Sequence, residues 1–182
     1  PCLSGTRGSG TVFFAGCGLG CLFCQNHTIS RGGAGQATSV PQLANIFLQL
    51  QNKGVHNINL VTAAHYRPWV QAALQQANAR GLALPIVYNT GGYETLQSIK
   101  VLSPDVNILL TDLKFYDTPL STQLANAPNY FAVASAALQA LCAASGPPVF
   151  GSAGLLQPGV IVRLLLLLAH RPDTRPLLPW MA

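Results

Sequence analysis

Charge is scarce in this chain. Only 8% of its 182 residues are Asp, Glu, Lys or Arg, where soluble domains average about a quarter. Acidic residues are the rarer kind, 5 against 10 basic ones, for a formal net charge of +5. The basic residues are scattered, which excludes the basic stripe that tracks a nucleic-acid backbone. Long apolar runs are also missing. The longest covers residues 164–169, preceded by 160–162 and Arg163, far short of the about 20 residues a membrane-spanning helix needs. It reads instead as a strand buried on both faces. A disulfide framework is absent as well: the five cysteines are odd in number, and Cys17, Cys21 and Cys24 crowd together while Cys2 and Cys142 stand apart. With no secretory signal visible, this spacing points to metal in the cytoplasm or another reducing compartment. Residue 1 is Pro rather than Met, so a piece of a longer protein is expected.

What is present is an alternation of strand and helix patterns over one domain, residues 1–182. Strands are predicted at residues 11–15 (TVFFA), 58–62 (INLVT), 85–89 (PIVYN), 106–112 (VNILLTD) and 160–168. Between them lie helical patterns. Ser39 and Gln42 form a capping box before Leu43, Ile46, Phe47 and Leu50, and Gly54 closes that helix. Further helices are expected at residues 68–81, 96–102 and 130–143, and a Gly- and Pro-rich loop at 146–158. After residue 169, Pro172, Pro176 and Pro179 limit the chain to a short helix or an irregular tail, with no sixth strand. Strands separated by such helices pair in parallel through right-handed crossovers. An open doubly wound sheet and a partial (β/α) barrel both fit. In either, the loops after the strands share one rim, which gathers the cysteine loop, His65-Tyr66, Asn89-Thr90 and Asp112-Lys114.

Cys17, Cys21 and Cys24 have the spacing C-x3-C-x2-C. Thiolates are the usual ligands of iron–sulfur clusters, which normally take four. Three from one loop leave one iron free to bind a substrate. Gly16, Gly18 and Gly20 let the backbone wrap closely and expose N–H groups to the cluster sulfurs. The rival is zinc, with His27 completing a Cys3His set. Arg163 interrupts an apolar run, so an acidic partner or a ligand is expected beside it.

C-x3-C-x2-C with Phe23 just before the last Cys resembles the signature of radical S-adenosylmethionine (SAM) enzymes. Residues 2–11 (CLSGTRGSGT), 16–26, 56–62 (HNINLVT) and 86–90 (IVYNT) are similar to the proteins related to pyruvate formate-lyase activating enzyme, and the likeness runs from about Cys2 to Leu168. It implies a radical SAM partial (β/α) barrel with a parallel sheet, truncated at its carboxyl end. It also implies a [4Fe-4S] cluster on the three cysteines that reductively cleaves SAM to a 5′-deoxyadenosyl radical, which activates a glycyl-radical partner or modifies another substrate. Cofactor contacts carried over residue by residue are Phe23 on the adenine, with Asn89, Thr90, Asp112, Lys114 and Arg163 around the methionine end. The partners implied are SAM, an electron donor such as flavodoxin or ferredoxin, and a protein substrate; neither nucleic acid nor membrane is expected.

The chain departs from that pattern in places. Gly18 and Gly20 stand where the family shows Asn and Arg, and Leu168-Ala169 where it shows Pro-Gly. Residues 63–66 (AAHY) replace the Gly-Gly-Glu of many radical SAM enzymes. Gly91-Gly92-Tyr93-Glu94 looks similar but follows the third strand, so that role is not transferred. A second reading therefore stays open: a zinc or plain iron–sulfur module, or a decayed paralogue, without SAM turnover.

Overall fold

The computed structural model describes residues 2–102 and 105–181. Five strands, β1 (Gly10–Phe13), β2 (Ile58–Val61), β3 (Ile86–Thr90), β4 (Ile108–Leu113) and β5 (Gly159–Leu164), form one sheet. The order is β1-β2-β3-β4-β5, and every pairing is parallel. This order settles the choice between the two architectures. A doubly wound sheet reverses direction at a switch point and carries helices on both faces. Strands laid down in sequence, each returning by a right-handed crossover, keep their helices on one face, as in a (β/α) barrel.

The helices are α1 (His27–Ser30), α2 (Val40–Asn52), α3 (Arg67–Asn78), α4 (Leu96–Leu102), α5 (Thr118–Ala125), α6 (Tyr130–Ser145), α7 (Arg171–Thr174) and α8 (Leu177–Met181). The capping box that starts α2 is formed: Ser39 Oγ accepts from Gln42 N, and Gln42 Oε1 accepts from Ser39 N. Such a cap contributes about 1 kcal/mol. Pro172 sits in the first turn of α7, where its missing N–H costs nothing. No helix of the described residues is long and apolar enough to cross a membrane.

Strand alternation divides the side chains between two faces. Ile58, Leu60, Tyr88 and Leu109 pack with Leu43, Phe47, Val70 and Leu74 of α2 and α3 and with Ala137 and Leu141 of α6. Leu113 packs with Tyr130, Ala134 and Leu138. The other face carries Val87, Ile108, Leu110 and Ile161, packed against Leu156 and Leu3. Two hydrogen bonds pin the amino-terminal segment there: Asn57 Nδ2 donates to Leu3 O at 2.7 Å, and Leu156 N to Cys2 O at 2.7 Å.

The fifth strand differs from expectation. It ends at Leu164, and Gly159 is its single buried residue. Sheet order explains this: β5 pairs with β4 only and lies at the edge of the described sheet. In the run beyond it, Leu165 and Leu167 pack against the core, while Leu166 and Leu168 are exposed at 59% and 73%. The run is covered on one side rather than both. The other strands begin or end one to two residues from the predicted bounds, and α5 was not predicted.

Candidate functional site

The cysteine loop leaves β1 and is anchored by backbone. Gly16 N donates to Ile29 O, while Gly20 N and Leu22 N donate to Ala125 O and Leu124 O at 2.7 and 2.9 Å. Those two carbonyls end α5, where helical carbonyls lack intrahelical partners. Asn126, in the left-handed conformation, caps the same end. The glycine N–H groups of positions 16 and 20 thus serve to hold the loop, and it is Leu19 N that approaches a sulfur, Cys17 Sγ at 3.4 Å. A Cβ at Gly20 would overlap the guanidinium of Arg31, so the absence of a side chain there lets Arg31 lie over the loop. His65 Nε2 meets Ala15 O at 2.6 Å and ties the loop after β2 to the loop's start.

Cys21 is buried, Cys24 half-buried and Cys17 exposed. Burial pushes the Cys21 thiol above its ordinary pKa; the Lys114 charge pulls it down, and the neighbouring charges of Cys17 and Cys24 push it up. Cys24 Sγ lies 3.3 Å from Ser30 Oγ. Among the described residues, no three His, Cys, Asp or Glu side chains converge on a point that could hold one metal ion. In this conformation Cys17, Cys21, Cys24 and His27 therefore do not form a closed Cys3His site. A cubane cluster asks something different of its ligands, since each thiolate takes a separate iron corner and the three need no common centre. Three thiols in one loop suit that chemistry.

Register and alternation bring Asn89, Asp112 and Arg163 to one face at the ends of their strands. Asp112 lies opposite Arg163. Arg163 Nε donates to Asp112 Oδ1 at 2.7 Å and Nη2 to Asn89 Oδ1 at 2.8 Å. Lys114 Nζ donates to the other oxygen, Asp112 Oδ2. Arg163 is not buried: its side chain is 47% exposed, against 15% for Lys114 and 13% for Asp112. Two cations share one carboxylate, so this cluster keeps one net positive charge and unused N–H donors.

Thr90 falls on the opposite face. Its hydroxyl donates to Glu94 Oε1 at 2.7 Å, as does Tyr88 Oη at 2.7 Å, while Ser98 Oγ donates to Oε2 at 2.9 Å. Glu94 is 6% exposed and is satisfied wholly by hydroxyls. Burial first, then the Glu94 charge, holds the Tyr88 hydroxyl protonated. Phe23 is half-buried, with its ring centroid 6.0 Å from that of Phe115. Phe115 is fully buried and meets Tyr130 edge-on at 5.5 Å. Sequence reasoning missed Tyr130 and Phe115, and met Glu94 only in a motif whose role it did not transfer. The helix onset at Asp117-Thr118-Pro119, where Asp117 Oδ1 accepts from Leu120 N, was the signal available for α5.

The two halves of the site lie close together, with Gly91 between them. A Cβ at Gly91 would lie 2.8 Å from Leu19 Cδ1 and 3.8 Å from Lys114 Cε. Leu19 stands between Cys17 and Cys21, so the cysteine loop and the Asp112-Lys114 pair lie side by side at one rim.

No family model matches the chain. An uncharacterised protein of Methanocaldococcus jannaschii, MJ0674, is 28% identical over 130 residues, which are 68% of this chain and 38% of that protein. A solved structure described as native anSMEcpe with bound AdoMet superposes on 95% of this chain and 49% of its own, with a TM-score of 0.59 and 12% identity. The chain thus spans less than half the length of either, and the second likeness is one of fold.

Proposed function

We propose that this chain forms the core of a radical SAM protein. In this reading Cys17, Cys21 and Cys24 hold a [4Fe-4S] cluster, and Asn89, Asp112, Lys114 and Arg163 receive the methionine end of SAM. The observation that carries the reading is the adjacency of the thiol loop to a rim cluster of one acid and two cations, through Leu19, Gly91 and Lys114. The fold shared with a protein that binds AdoMet supports it. When bound, the cluster supplies one electron to SAM, whose cleavage yields methionine and a 5′-deoxyadenosyl radical that takes hydrogen from a substrate.

The chain's own residues have separate tasks. Lys114 and Arg163 bind the carboxylate, using the donors that Asp112 leaves free. The Lys114 charge acts strongly because its side chain is mostly withdrawn from water, whereas Arg163 is about half exposed. Asp112 keeps both cations aimed, and Asn89 orients Arg163. Phe23 offers a half-buried ring to the adenine. Thr90 serves from the helix side, fixing the end of β3 through Glu94. The electron comes from a donor of the flavodoxin or ferredoxin kind. By resemblance to the activating enzymes, the substrate is a glycine of a partner protein or another hydrogen donor.

The test is anaerobic reconstitution with iron and sulfide. About four irons per chain are expected, lost on replacing any of the three cysteines by Ala and retained in Cys2→Ala and Cys142→Ala. Adding SAM to the reduced protein should change its EPR spectrum. Stoichiometric zinc without labile sulfide, or an intact cluster whose spectrum ignores SAM, would overturn the proposal.

A further inference from the structure

Tyr130 opens α6 and is fully buried. Its ring is held by aromatic neighbours: Tyr93 stacks on it at 6.0 Å and Phe115 meets it edge-on. A phenylalanine would serve that packing equally. The hydroxyl adds something else, because a buried phenol needs a polar partner. Here it has three, all backbone atoms, on two different strand ends. Its O–H is shared between Gly91 O at 2.8 Å and Asp112 O at 3.0 Å, and its oxygen accepts from Lys114 N at 3.1 Å.

The neighbouring chain makes room for this oxygen. Gly92 has φ +80, and a Cβ there would sit 3.2 Å from Tyr130 Oη and overlap Asp112 O. Burial, more than any neighbouring charge, pushes the Tyr130 pKa far above the ordinary phenol range, so the O–H remains a donor at any working pH. Ring and hydroxyl together join three parts of the site. The hydroxyl fastens the end of β3 to residues 112–114, and Phe115 carries the packing on to Phe23 of the cysteine loop.

We infer that Tyr130 is a positioning residue for the cofactor rim: by bonding Gly91 O, Asp112 O and Lys114 N through one oxygen, it sets where the Asp112 and Lys114 side chains stand relative to the cysteine loop. The inference rests on the radical SAM reading above. It adds a residue that touches neither cofactor and acts through the backbone of two that do. Tyr130→Phe keeps the ring stack and removes only this clasp.

The experiment measures SAM affinity of anaerobically reconstituted protein. Tyr130→Phe should weaken SAM binding about tenfold, as expected for losing one buried hydrogen-bonded group, with the iron content unchanged. Tyr93→Phe keeps the three backbone contacts and should bind as wild type. In a Lys114→Ala background, Tyr130→Phe should cause a smaller further loss than in the wild type, because one of the two side chains it positions is gone while Asp112 and its partner Arg163 remain. Wild-type affinity in Tyr130→Phe, or a full additional loss in the Lys114→Ala background, would overturn the inference and leave the radical SAM reading intact. If the wild type binds a cluster but no SAM, both fall. Should Tyr130→Phe not fold, 4-aminophenylalanine at position 130 decides: it keeps an N–H donor for the two carbonyls but accepts poorly from Lys114 N. An affinity reduced several-fold supports the clasp, and wild-type affinity overturns it.

Discussion

Arg163 and Asp112 face each other across the β4–β5 pair, with Nε donating to Oδ1 at 2.7 Å. The two partners live in different surroundings: Arg163 is about half exposed, Asp112 only 13% exposed and also bonded to Lys114. Asp112 is therefore the member whose loss costs more. Asp112→Ala strands a mostly buried ammonium and should lose about 1–3 kcal/mol, between the values for exposed and buried pairs. Arg163→Ala leaves the Lys114 bridge in place and should cost about 0–1 kcal/mol. Urea unfolding of the two variants checks the order. A larger loss for Arg163→Ala would contradict it.

In the proposed radical SAM reading, Lys114 binds the SAM carboxylate. Losing a charge-assisted contact to a carboxylate is worth about 1.5–3 kcal/mol, or roughly a tenfold to hundredfold drop in affinity. Titrating SAM into reconstituted Lys114→Ala should show that drop. An unchanged dissociation constant would remove Lys114 from the cofactor site.

Two glycines make a matched pair for the backbone. Gly92 has a positive φ, and a Cβ there overlaps the Asp112 carbonyl, whereas Gly18 has nothing near its Cβ position. Gly92→Ala should destabilise by about 1–3 kcal/mol, and Gly18→Ala by less than about 0.5 kcal/mol. Thermal unfolding distinguishes them. Equal melting temperatures would mean that the β3–β4 rim relaxes freely.

Asp173 gives stability a pH dependence. Burial raises its pKa in the folded protein, partly countered by the amides of Asp117 and Tyr116, which donate to Oδ1 at 2.6 and 3.0 Å. An acid with a raised folded-state pKa binds more protons folded than unfolded, so its contribution is favourable at low pH and is lost as pH rises through that range. Asp173→Asn keeps an acceptor for both amides without the charge. Its melting temperature relative to wild type should rise between about pH 3 and pH 7. A relative fall over that interval would show that the charge stabilises the fold.

Much of the layout of the candidate site was legible in the sequence. The cysteine spacing, the strand–helix alternation and the place of Asp112 and Lys114 at a strand end are local features, and covalent spacing and periodicity express them directly. Parallel pairing then requires the strand ends to share a rim. Other properties belong to tertiary contacts. Asn89 and Thr90 are adjacent in sequence, yet register and helix packing turn one toward Arg163 and the other toward Glu94. The run 164–169 looks doubly buried by composition, but as the continuation of an edge strand it is covered on one side only. The carbonyls of α5 that hold Gly20 and Leu22 lie about a hundred residues away along the chain. Tyr130 reads as an ordinary helix aromatic until the fold brings Gly91 and Asp112 to its hydroxyl. Local pattern decides which residues are available; which of them meet is decided by long-range packing, since a buried polar atom must find its partner wherever the fold supplies one.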